Sequence, residues 1–156
     1  MKVTRFDPTS DLIIVKARIW GPGGKTPASL AVDTGSEHTV IAASIIDDLG
    51  YSPLQGEQIA TVRTAVGKEQ GYLLRRSRFW SLGFAVSDFR VHVFDLPDGF
   101  GIDGLVGLSF LRLFNVELRV AEGRLLVDAS TRRESSRRRP SNRVRRTWTS
   151  CRHNGS

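Results

Sequence analysis

Asp33 is the residue of this chain best placed to do chemistry. It ends the apolar run Leu30-Ala31-Val32 and opens Asp33-Thr34-Gly35-Ser36, a stretch built of turn-forming residues. A carboxylate that a strand delivers into a tight turn can serve as a general acid or base. Two other groupings invite comparison. Ser36 and His38 lie two residues apart on one segment with no orienting acid, so no hydrolytic triad is read there. Gly23-Gly24-Lys25-Thr26 hints at a phosphate-binding loop. That pattern needs glycine at position 19, which is Ile19, and a helix afterwards; a hairpin turn accounts for it better. The three histidines and the single cysteine, Cys151, show no zinc-ligand spacing, so neither a metal nor another cofactor is expected.

The elements that must hold Asp33 in place read mostly as short strands. Residues 12–20 are rich in Ile and Val and alternate loosely, and Gly21-Pro22-Gly23-Gly24 breaks them. Residues 29–32 and 39–41 are strand-like on either side of the Asp33 turn. Ala42, Ile45, Ile46 and Leu49 have helical spacing, with Gly50 as a stop. Residues 59–66 and 72–79 make a hairpin around a turn expected at 67–71, and residues 84–94 give another strand or two. A loop at 95–104 leads into Leu105-Val106-Gly107. One or two helical turns follow, then a last hairpin across Ala121-Glu122-Gly123. Trp20, Phe79 and Trp80 read as core or edge aromatics, His92 as a surface residue of a half-buried strand, and Asp98 and Asp103 as solvated loop acids. Strands at this spacing, with only short helices, point to an all-β barrel or sandwich.

Charge divides the chain. The formal net charge is +7, but nine arginines and one glutamate fall after residue 128, while residues 1–128 hold 14 basic and 15 acidic side chains. The expected organisation is one folded domain over residues 1–128 and an Arg/Ser-rich disordered tail over 129–156, whose composition cannot offset its ordering entropy. The tail needs no function; it could also be a polyanion-binding arm making weak contacts to nucleic acid or an acidic surface, or a cleavable extension. Residues 1–8 lack the apolar stretch of a secretory signal, and no run is long enough to span a bilayer, so a cytoplasmic protein is expected. With one cysteine, no intrachain disulfide can form.

Three features belong together: the strand-borne Asp33-Thr34-Gly35, the glycine-bearing hairpin around residues 65–71, and Leu105-Val106-Gly107 about seventy positions later. Over residues 10–128 the combination resembles the retropepsin-like aspartic proteases, on the side of their single-domain bacterial members. The resemblance implies a small closed acid-protease barrel with one or two short helices and one flap hairpin per subunit. It implies an aspartic endopeptidase acting on polypeptides. One Asp-Thr-Gly supplies half of a carboxylate pair, so it implies a homodimer in which two Asp33 side chains activate a water. It assigns catalysis to Asp33, Thr34 and Gly35, and substrate contact to Glu37, His38, Val66, Gly67 and Leu105. Ser36 would hydrogen-bond to Asp33 and Gly107 would let its loop pass behind the turn. Asp103, close to Leu105, could tune substrate choice.

One departure stands out. Where retroviral members follow the second glycine with Arg-Asn or Arg-Asp, this chain has Leu108-Ser109. The alternative is therefore a non-catalytic dimerisation or peptide-binding module of the same fold.

Overall fold

The computed structural model describes residues 1–51, 58–64, 67–96 and 101–130. In chain order the elements are β1 (Lys2–Arg5), β2 (Ile14–Gly21), β3 (Gly24–Val32), β4 (Val40–Ala42), α1 (Ala43–Asp48), β5 (Gln58–Thr64), β6 (Gly67–Ser81), β7 (Phe84–Phe94), β8 (Gly104–Val106), α2 (Leu108–Leu111), β9 (Phe114–Arg119) and β10 (Arg124–Ala129). A turn of 3-10 helix, Val120–Glu122, links the last two. The class is all-β with short helices, as the spacing of the strands suggests. No helix among the described residues is long and apolar enough to cross a membrane.

The main sheet runs β2-β3-β8-β4-β7-β6-β5, and a further pairing of β2 with β6 closes six of these strands into a barrel. Alternation decides which way each strand faces. On β2, Val15, Ala17 and Ile19 are buried while Lys16 and Arg18 are exposed. On β6, Ser77, Phe79 and Ser81 are fully buried. The two serines are satisfied by the carbonyls of Phe89 and Lys16, at 2.9 and 3.0 Å. Phe79 is the hub of the core. Its ring centre lies 5.3 Å from that of Phe89 and 5.1 Å, edge-on, from that of Phe110.

β1, β10 and β9 form a separate antiparallel sheet that joins residues 2–5 to residues 114–129. Lys2 pairs with Val127 and Arg5 with Arg124. Leu125 and Val127 point into the core, but β9 at the sheet edge is exposed along most of its length.

The chain departs from the sequence reading in four places. Residues 67–71 are the start of β6 and not a turn. Gly71 is there because a side chain would run into the Val93 carbonyl and the Phe94 ring on β7. Gly104-Leu105-Val106 is a strand, wedged between β3 in parallel and β4 in antiparallel register. β1 gives no signal because its only pairing is to β10 and its residues are polar outside Val3. β10 runs through Ala129, one residue past the expected domain end. Residues 131–156 of the expected tail lie outside the described residues.

Phe79→Ala should lower unfolding free energy by about 3–5 kcal/mol, because it empties the point where three rings meet. Urea unfolding with an unchanged m-value is the check.

Candidate active site

Asp33 leaves the end of β3 with its backbone fixed before its side chain is considered. Its N–H donates to the Val106 carbonyl at 3.0 Å, continuing the β3–β8 pairing by one residue. The turn then folds on itself. The Gly35 N–H donates to Asp33 Oδ1 at 2.9 Å, and the Ser36 N–H to the Asp33 carbonyl at 3.3 Å. This is the local geometry Asp-x-Gly favours. It ties down one carboxylate oxygen, while Oδ2 accepts no hydrogen bond from the described residues. Asp33 is half-buried; Thr34 and Gly35 are exposed, and the Thr34 hydroxyl has no partner among the described residues. The turn therefore offers a carboxylate oxygen, a hydroxyl and a bare backbone to whatever approaches.

Behind the turn, α2 and the end of β8 act as a buttress. The Leu108 N–H donates to the Ser36 carbonyl and the Ser109 N–H to the Glu37 carbonyl, both at 2.8 Å. Gly107 passes so close that a side chain would collide with the His38 carbonyl. Its N–H donates to Thr39 Oγ1 at 3.3 Å. Thr39 is fully buried. Its hydroxyl also meets Ser109 Oγ at 3.0 Å, and that oxygen accepts the Thr39 N–H at 3.0 Å. Ser109 thus anchors the segment by hydrogen bonds at the position where the retroviral pattern has Asn or Asp, while Leu108 stands at the position of the arginine. The Ser36 hydroxyl was expected on the Asp33 carboxylate. It donates instead to the His38 carbonyl at 2.8 Å, which shapes the loop and not the acid.

Glu37 is exposed and His38 half-buried, their side chains 3.8 Å apart. The His38 ring stacks on that of His92, centroids 4.0 Å apart at 18°. His92 is therefore no simple surface residue. Its backbone N–H donates to the Thr39 carbonyl at 2.9 Å, and its Nδ1 is buried without a hydrogen-bond partner. Burial, and next the neighbouring His38 imidazole, push its pKa from 6.5 down to about 4, against a weaker upward pull from Glu37. Leu105 is half-buried on β8, opposite Ala31 and Val40. Gly67 is the first residue of β6, facing Thr64 across the β5–β6 hairpin, and Val66 lies outside the described residues, as does Asp98. Asp103 is no free loop acid: its Oδ2 accepts the Ser29 N–H at 2.8 Å, and its backbone bonds to Ser29 and Ala42. Among the described residues no group of acids, histidines or cysteines could hold a metal ion.

Sequence reasoning missed Thr39, Ser109 and His92. A threonine directly before a strand, and a hydroxyl two residues after a glycine, carry no signal until the fold brings them together across seventy positions.

Two outcomes test this geometry. Thr39→Val keeps the shape but strips the acceptor from the buried Gly107 N–H, so it should cost about 1–3 kcal/mol on denaturant unfolding. His92 is held neutral in the fold, so its contribution is fully present above pH 6.5 and is lost as pH falls from 6.5 towards 4. The unfolding midpoint should fall over that window in the parent and fall less in His92→Phe.

Comparison with known proteins agrees with the geometry. The model of the aspartyl protease family matches residues 15–110, which takes in the Asp33 turn, β8 and most of α2. The fold is similar to a retropepsin-like aspartic protease from Rickettsia conorii, with TM-score 0.57, 18% identity, and coverage of 79% of this chain and 94% of that one. It is also similar to the EIAV protease complexed with the inhibitor HBY-793, with TM-score 0.51, 18% identity, and coverage of 67% and 88%. No curated protein matches the chain. The fold is thus shared with these proteases, and the chain belongs to the aspartyl protease family, with a retropepsin-like fold.

Proposed function

We propose that this chain is an aspartic endopeptidase that works as a homodimer, with the Asp33 carboxylates of two subunits facing each other across a twofold axis. The observation that carries the reading is the Asp33 turn. One carboxylate oxygen is fixed by Gly35, the other has no donor among the described residues, and no second acid belongs to the turn.

Peptide hydrolysis needs a nucleophilic water and an electrophilic carbonyl. Two carboxylates about 3 Å apart share one proton, because both cannot ionise cheaply. The ionised one takes a proton from the water, and the neutral one donates to the carbonyl oxygen of the scissile bond. Neither a metal nor a covalent intermediate enters this scheme. In it, Thr34 bonds across to the partner turn, and the bare backbone at Gly35 admits the substrate chain. Glu37, His38 and Leu105 contact substrate side chains. The β5–β6 hairpin, whose second strand starts at Gly67, closes over the peptide and excludes water; the contact expected of Val66 lies outside the described residues.

Dimerisation has its own support. The edge strand β9 leaves Val116, Leu118 and the following Val120 exposed, at 36%, 42% and 52%, and Val3 on β1 is 51% exposed. A row of apolar side chains along an unpaired strand edge suits cover by a second copy. The non-catalytic alternative rests on Leu108-Ser109 in place of the usual pair and on the lack of visible substrate logic; on the first point, the hydrogen bonds of Ser109 to Thr39 support the catalytic reading.

Asp33→Asn should reduce cleavage of a peptide library by roughly 10³-fold or more, while circular dichroism and sedimentation match the parent. Equal cleavage by the variant would overturn the assignment.

A further inference from the structure

The outer wall of the barrel carries a second cluster that the catalytic turn does not use. Val15, Ala17 and Ile19 of β2 point inward, so Lys16, Arg18 and Trp20 point out. Ser77, Phe79 and Ser81 of β6 point inward, so Arg78 and Trp80 point out. The strands pair with Arg18 opposite Trp80 and Trp20 opposite Arg78. The four side chains therefore form a square with aromatic and cationic corners alternating. The Arg18 guanidinium lies 5.2 Å from the centre of the Trp80 ring, and that of Arg78 lies 4.7 Å from the centre of the Trp20 ring. β3 extends the same face with exposed Lys25 opposite Trp20 and exposed Pro27 opposite Arg18.

The charge on this wall is one-sided. β2, β3 and residues 71–81 of β6 expose Lys16, Arg18, Lys25 and Arg78 on this face and contain no acid. The adjacent β7 adds one exposed acid, Asp88, and one exposed base, Arg90. Lys16, Arg18, Lys25 and Arg78 take part in none of the ion pairs formed among the described residues by Glu37, Glu117, Glu122 and Asp128. Residues 1–128 are near neutral in total, so this face is more basic than the folded part as a whole. Indoles with a guanidinium 4.7–5.2 Å from the ring centre give π surfaces set beside exposed cations. A flexible strand of nucleotides complements both, with its phosphates on Lys and Arg and its unstacked bases on the planar groups. An acidic peptide would meet the charge and leave the indoles unused, and a duplex hides its base faces.

We infer that this wall, centred on Arg18, Trp20, Arg78 and Trp80, binds single-stranded nucleic acid. The surface is separate from the catalytic turn. Trp20 and Lys25 flank the β2–β3 turn, while Asp33 follows the opposite end of β3, about 27 Å away along eight residues of strand. A bound strand would therefore leave the Asp33 turn open, so nucleic acid would place the molecule without competing for its site.

The basic tail is a competing binder, so the test must read the wall directly. In the full-length chain with Trp148→Phe, Trp20 and Trp80 are the indoles that remain. Titration with a short oligothymidylate should quench their fluorescence saturably and more weakly as salt rises. Arg18→Gln with Arg78→Gln should weaken that binding about tenfold or more. Lys25→Gln, which leaves both indole contacts intact, should lower the slope of log affinity against log salt by about one. Heparin, equally anionic but without bases, should bind and not quench. The inference is overturned if the oligonucleotide fails to quench, if heparin quenches equally, or if neither the double variant nor Lys25→Gln changes binding.

Discussion

Between the Asp33 turn and the segment behind it there is no room for a side chain at position 107. The Gly107 backbone lies against the His38 carbonyl, its N–H is taken by the buried Thr39 hydroxyl, and the next two N–H groups bond to the Ser36 and Glu37 carbonyls. Every one of these contacts joins residues about seventy positions apart. They fix the Asp33 turn from behind, so its front can carry a carboxylate with one oxygen committed and one free. The barrel is the device that brings the two segments to this distance. β8 is only three residues long, yet it sits between β3, which delivers Asp33, and β4, which carries the chain away from Thr39.

The same arrangement explains how Ser109 can stand where retroviral members have Asn or Asp. Two hydroxyls, Thr39 and Ser109, make a closed neutral network with two backbone N–H groups and leave none of those donors unpaired. Placing His92 beside this network has a different consequence. Burial and the stacked His38 ring push the pKa of His92 down to about 4, so this imidazole stays neutral until well into the acid range.

Much of this was legible from the residues. Asp33-Thr34-Gly35 and Leu105-Val106-Gly107 named the two halves of the site, because each uses a residue type for which the geometry has few substitutes. The β2 and β7 strands and α1 followed from alternation and helical spacing. What stayed hidden depended on partners distant in the chain. Gly71 looked like a turn residue because a glycine required by close packing and one required by a positive φ are the same letter. β1 was silent because an edge strand needs only one compatible neighbour. Trp20 and Trp80 read as generic aromatics, since only the β2–β6 register sets each against an arginine. The partner of Ser36 was misplaced because its hydroxyl reaches the His38 carbonyl as easily as the nearer carboxylate suggested by sequence.

The central claim is that one chain holds half of a catalytic unit. Mixing parent and Asp33→Asn chains in equal amounts, with time for exchange, tests it at constant total concentration. If both carboxylates of a dimer are needed and subunits exchange at random, the mixture should show about a quarter of the activity of the pure parent. About half the activity, once exchange of labelled subunits has been verified, would mean that each chain cleaves on its own and would contradict the account.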